Sequence, residues 1–344
     1  MIEQTVGTPQ VRARLEWMDV CRGVCMILVI LLHSTSYYKF NDGIVPPFVT
    51  QIVNALAPVR MPTLFFLSGV MVNFGLRKGR TAFLARRMRI LVWPYLVWCV
   101  IWAFASGNVA EMAGYEWWLG GWYLWFLLFV ALYSLAAAII PPRYHAISAS
   151  YLYLASLLME DGTKYGERLL FFMAIFLLGS ALGQNIPRLE KHLSDRRLLV
   201  LAPAGIGILL YSGLFGPVRY SPYDVGMIAI VVLLSLAFCH WIAGKFALRP
   251  LSAIGRNSIT IYLVHMPVIA LVIEAFRAIG LGSFTPVFLG SLLLSVLASL
   301  LALELRKRVP PVDWLFAFPS RGKGSIAPPA RAIAPSSGSP AVGG

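Results

Sequence analysis

The chain has 344 residues, of which 58% are hydrophobic and 13% charged, with a mean hydropathy of +0.74 and a formal net charge of +14. A water-soluble protein of this length cannot cover so much apolar surface, so the composition predicts an all-α integral membrane protein; the apolar runs are continuous rather than alternating, which argues against a β-barrel. The basic excess is scattered between apolar runs instead of forming one domain, and this excludes nucleic acid as a partner.

In chain order, about ten transmembrane helices are expected, near residues 19–38, 58–76, 90–106, 121–140, 145–159, 169–186, 198–215, 224–243, 256–276 and 284–304. The polar N-terminal head runs into a long span, without the short apolar core and small-residue site of a cleavable signal. The fifth segment is short and made amphipathic by Tyr151, Tyr153 and Ser156, so tilting, re-entry or an interfacial position stay open for it. With the N-terminus in the cytoplasm, the outer segments hold only Lys39, Arg60, Lys164, Arg168, Arg219 and Arg277 of the 29 Lys and Arg residues. The positive-inside bias therefore predicts a bundle with both termini cytoplasmic. The expected organisation is a cytoplasmic segment at 1–18, a membrane domain at 19–306 and a largely disordered cytoplasmic tail at 307–344, rich in Pro, Ala, Gly and Ser. No outer loop is long enough for a folded domain, and neither an internal repeat nor an inverted one is visible.

Four stretches carry the chemistry. In the first span Arg22 and His33 stand eleven residues apart, and Asp19 is three residues before Arg22. At ~100° and ~1.5 Å per residue the three share roughly one helix face, with His33 about 16 Å beyond Arg22. Ionisable groups at that depth point by default to a functional site. A snorkelling Arg22 and an interhelical hydrogen-bonding His33 are the structural alternative. The stretch Met61 to Gly69 combines Pro62 with Ser68 and Gly69, which favours close helix packing. Arg86 and Arg89, three apart before the third span, suit either a phosphate clamp or a topology anchor drawn to anionic lipid. In the ninth span Asn257, Ser258, Tyr262 and His265 form a polar set, the last three on one face, with helix packing as the competing reading. His240 is expected at the interface, and His145 and His192 as solvated loop residues. Cys21, Cys25, Cys99 and Cys239 fall in or beside apolar runs and read as buried hydrophobes. No metal-ligand spacing, phosphate loop or GxSxG elbow appears, so no bound metal or permanent cofactor is expected.

In this order the four stretches resemble acyltransferase family 3, a family of multi-pass membrane proteins. The likeness rests on Arg22 and His33, on Pro62 to Gly69, on Arg86 and Arg89, and on Asn257, Ser258, Tyr262 and His265, and it covers about residues 12–306. Met266 between His265 and Pro267 is a minor departure, and the chain has no room for the extra extracytoplasmic domain some members carry. The resemblance implies transfer of an acyl group, usually acetyl, from cytoplasmic acyl-CoA to a hydroxyl of a cell-envelope glycan or glycosylated lipid, in a bacterial inner membrane. It implies His33 as general base, with Arg22 and Asp19 positioning the donor or stabilising negative charge, or a covalent acyl-histidine as the variant. Arg86 and Arg89 would hold the donor phosphates, with Ser68, Asn257, Ser258, Tyr262 and His265 supporting. The implied partners are acyl-CoA, the glycan acceptor and membrane lipids, with a separate extracytoplasmic transferase or a second copy open. The scheme needs His33 and Arg22 to line one passage. A transporter or flippase of an envelope precursor is the rival reading, and a non-catalytic scaffold a third.

Overall fold

A computed structural model describes residues 16–120, 122–159, 166–218 and 220–319. The N-terminal residues Arg12 and Arg14, the loop residues Lys164 and Arg219, and the tail beyond residue 319 lie outside the described residues, and the expectations for them with it.

Among the described residues the structure is helical, without strands. α1 (Glu16–Phe40) is followed by α2 (Pro47–Ala55) and α3 (Ala57–Leu76), which together make one long segment broken at Leu56. α4 (Arg80–Arg87) passes through a π-helical turn (Met88–Val92) into α5 (Trp93–Ala105). Pro94 has no N–H to give the preceding turn, so the chain winds wider there. Then come α6 (Trp125–Ile139), α7 (His145–Leu157), α8 (Gly166–Leu182), α9 (Ile186–Leu193), α10 (Ala202–Phe215) and α11 (Val225–Lys245). α12 (Arg249–Arg256), α13 (Ser258–Ala278) and α14 (Phe284–Arg308) complete the bundle.

Hydrogen bonds define its two ends. At one, Trp17 Nε1 donates to Glu190 (3.1 Å), Arg306 Nη1 to Thr260 Oγ1 (2.5 Å) and Arg89 Nε to the Phe318 carbonyl (3.1 Å). At the other, Tyr38 donates to the Gly282 carbonyl (2.9 Å), Ser212 to Asn54 (2.7 Å) and Tyr220 to Ala57 (3.1 Å). Both described ends of the chain lie at the first of these.

Eight helices among the described residues are long and apolar enough to cross a membrane, and nine if α8 and α9, bent by 104°, form one broken span. This is fewer than the roughly ten expected. One missing span lies at residues 145–159, where α7 has 13 residues and rises only about 20 Å against a ~30 Å core, and the expected span at 169–186 is recovered only when α8 is joined with α9. The enclosed centre is built by α2–α3, α13 and α1, whose apolar windows are 78%, 67% and 56% buried, whereas α10 is 17% buried and presents its apolar surface outward.

Glycines let the central helices touch backbone to backbone. Gly255 of α12 lies on the Asp19 carbonyl and Gly69 of α3 on that of Phe176 in α8, with no space for a Cβ at either. Gly69 thus takes the packing role expected of its stretch. The four cysteines are free and buried. His145, expected as a solvated loop residue, is fully buried instead. It opens α7 against α8, and both ring nitrogens are satisfied, by Ser180 Oγ (2.9 Å) and the Ile140 carbonyl (3.0 Å). Burial costs little when every polar atom has a partner. His192 is exposed as expected.

Candidate active site

α1 and α13 bring His33 and His265 together, although 232 residues separate them in the chain. Nδ1 of His33 lies 2.8 Å from Nε2 of His265, and the rings stack at 5.0 Å. His265 is fully buried, and its Nδ1 lies 3.3 Å from the Ile261 carbonyl. A carbonyl only accepts, so in the neutral ring the proton of His265 sits on Nδ1 and Nε2 is an acceptor. His33 then donates from Nδ1, and its own Nε2 keeps a free lone pair. That nitrogen has no hydrogen bond among the described residues.

His33 lines a cavity of about 320 Å³, whose walls include Val29, Leu32, Met61, Trp122, Tyr123, Trp125, Tyr220 and Tyr262. Tyr262 donates to the Tyr123 carbonyl, and Tyr123 donates to the Leu263 carbonyl (2.9 Å) while meeting the His265 ring edge-on. These bonds cross-link the loop before α6 to α13 and hold the aromatic wall around the imidazole pair. Trp122 has φ +54°, a conformation bulky residues rarely adopt, on this same wall.

Arg22 is elsewhere. Its Nη2 donates to the Leu67 carbonyl (3.3 Å), and it is not among the cavity residues. Met26 and Val29 occupy the face between it and His33, at 1% and 2% exposure, so the passage expected to join the two is closed. About 16 Å of helix rise puts the guanidinium beyond contact with atoms reacting at His33. The expected stabilisation of developing charge by Arg22 therefore does not fit this geometry. Asp19 pairs at 3.9 Å with Arg256 and lies within electrostatic reach of Arg22.

The basic stretch before α5 also differs from expectation. Arg86 and Arg89 are exposed, and Arg89 is bound to Phe318. Arg87, between them, turns inward, with its guanidinium 5.0 Å from the Phe83 ring and within electrostatic reach of Arg22. The π-helical turn after Arg87 also upsets the simple three-residue alignment of Arg86 with Arg89. Ser68, Asn257 and Ser258 do not line the cavity; Asn257 Nδ2 donates back to the Ala253 carbonyl (2.8 Å).

Arg60 differs in burial from expectation. Read among the outer segments, it is 3% exposed, about one turn inside the end of the bundle marked by Ala57 and Tyr220. The helix begins earlier than the hydropathy pattern indicates, because polar residues of α2 mask its start. Nη1 of Arg60 donates to Val53 (2.9 Å) across the α2–α3 break, Nε has no partner, and its charge reaches His33. Among the described residues no group of three His, Cys, Asp or Glu side chains could hold a metal ion.

Residues 15–304 match the family model described as an acyltransferase domain, that of acyltransferase family 3. The chain belongs to acyltransferase family 3. No curated protein and no solved structure matches it. Among the described residues the imidazole pair joins a basic nitrogen without a hydrogen bond to an aromatic cavity inside the helical bundle.

Proposed function

We propose that the protein is a membrane O-acyltransferase, moving an acyl group, with acetyl as the leading candidate, from acyl-CoA to a sugar hydroxyl of an envelope or exported glycan. The observation that carries this reading is the free Nε2 of His33 on the cavity, with its tautomer fixed through His265. The acceptor hydroxyl gives its proton to Nε2 as its oxygen attacks the thioester carbonyl. The tetrahedral intermediate collapses, the C–S bond breaks, and the departing thiolate takes the proton from the imidazolium, leaving CoA as its thiol. Arg60, buried and with its Nε unpartnered, lies within electrostatic reach of His33 and would lower the cost of charge on the carbonyl oxygen.

The donor approaches the end of the bundle that carries Arg22, Arg86, Arg87 and Arg89, taken here as cytoplasmic from the distribution of basic residues. Its phosphates meet Arg22 and Arg87, and its flexible arm reaches inward when Met26, which closes the passage in this structure, moves aside, as an unbranched side chain can. The acceptor enters from the other end, in a bacterial inner membrane. The test uses the purified full chain in nanodiscs with radiolabelled acetyl-CoA and envelope glycan extract. His33→Ala is expected to insert and fold normally while transfer falls roughly 10²–10⁴-fold. Transport of a glycan precursor without consumption of acyl-CoA, or full transfer by His33→Ala, would sink the reading.

A further inference from the structure

The cavity beside His33 holds one more charged residue. Arg168, near the start of α8, opens on it, and has neither a hydrogen bond nor an ion pair among the described residues. Its neighbour Glu167 is engaged elsewhere, accepting from Ser221 Oγ at 2.6 Å. Arginines at the ends of membrane helices commonly serve lipid phosphate. This one instead shares a partly enclosed space with a catalytic imidazole and with Trp122, Trp125 and Tyr220. Those rings offer flat amphipathic surface, which suits the apolar face of a sugar, and at about 320 Å³ the space lies at the small end of ligand sites. It suits one sugar ring better than a chain. Arg168 is itself exposed, and a guanidinium on such a wall selects a planar or tetrahedral oxyanion through forked hydrogen bonds.

We infer that the acceptor carries an acidic group, a carboxylate or a phosphate, that Arg168 holds while the sugar ring lies against Trp122 and Trp125 and presents its hydroxyl to His33. This rests on the acyltransferase reading and narrows it to anionic glycans. It makes Arg168 a specificity-determining residue.

The full chain in phosphatidylcholine nanodiscs is titrated with methyl glucuronide, glucose 6-phosphate and methyl glucoside, and acetyl transfer from acetyl-CoA to each is measured in parallel. The expected result is tighter binding of an acidic probe than of the neutral one by about tenfold or more, a preference lost in Arg168→Gln and partly kept in Arg168→Lys. The ratio of the two acidic probes tells carboxylate from phosphate. Equal binding of all three by the unaltered protein overturns the inference without needing any variant, and transfer to the neutral probe would then leave the acyltransferase reading intact. Selective binding without transfer to any probe upholds the acidic site and counts against acyl transfer. If the effect of Arg168→Gln follows the content of anionic lipid in the disc and not the probe, Arg168 serves the membrane and the inference falls.

Discussion

Replacing His265 by alanine removes the acceptor for the His33 Nδ1 proton, and the His33 ring is then free to move its proton to Nε2, where it can no longer act as a base. Transfer is expected to lose roughly 10²-fold or more in kcat with little change in KM for either substrate. His265→Gln restores an acceptor oxygen near the lost Nε2 and is expected to recover part of that rate. A purely structural role for His265 would give equal losses in both variants, tracked by a fall in thermal stability. His33 is legible in the sequence because an ionisable group stands out in an apolar helix, and Tyr262 and His265 are legible by helical spacing. The pairing of the two histidines is not, because it depends on a contact across 232 residues. Arg60 is hidden for another reason: its burial follows from α2 packing in front of it, and the amphipathic start of that segment blurs a hydropathy window. Trp122 and Tyr123 sit in a short turn with no periodicity to reveal which way they face.

The segment from α4 to α5 shows how one irregular turn redistributes function among neighbouring arginines. Spacing alone favours Arg86 and Arg89 as a clamp, but the π-helical turn enforced by Pro94 leaves both at the surface, and Arg89 holds the chain at Phe318. Around it Trp93 and Trp98 donate to the Trp314 and Leu315 carbonyls at 2.6 Å and 2.9 Å, so the residues after α14 form a strap over the entry to α5. Phe316 is buried beneath it, and Arg306, paired with Asp313 at 2.8 Å, lies over the Phe316 ring. Arg87 is the member that turns toward Arg22. If these two receive donor phosphate, Arg87→Ala should raise KM for acetyl-CoA by about tenfold or more, the effect of losing a charged hydrogen bond, while Arg86→Ala stays within about threefold. Steady-state kinetics at varied acetyl-CoA concentration decides it, and the reverse order would return the clamp to the exposed pair. The pattern of apolar runs makes the helices themselves readable, but the turn is a local response to one missing N–H.

Across the whole molecule, the hydrogen bonds at each end of the bundle and the distribution of basic residues support one another. Arg77 to Arg89, Arg188 to Arg197, Lys245 to Arg256 and Arg306 to Arg308 gather at the end marked by Trp17, Thr260 and Phe318. The end marked by Tyr38, Gly282 and Ala57 keeps few cations. Such a contrast is the positive-inside pattern, so the basic end should face the cytoplasm. The four native cysteines are buried, which makes the protein its own background for labelling. In intact cells, a membrane-impermeant maleimide should label exposed Asp42→Cys or Tyr115→Cys directly, but Lys78→Cys or Lys191→Cys only after the membrane is opened. The opposite pattern would invert the bundle and place donor phosphates outside, where the proposed route for acyl-CoA fails. Labelling of all four from outside would mean that the two sets do not lie on opposite faces of one membrane. Residues 145–159 add an internal check, because α7 runs from His145, bonded to Ser180, to Leu157, whose carbonyl accepts from Tyr223 in the turn just before α11. If this 13-residue helix crosses a locally thinned membrane, Ala146→Cys and Leu158→Cys should fall into different labelling classes; if it lies along one surface, they should fall into the same one.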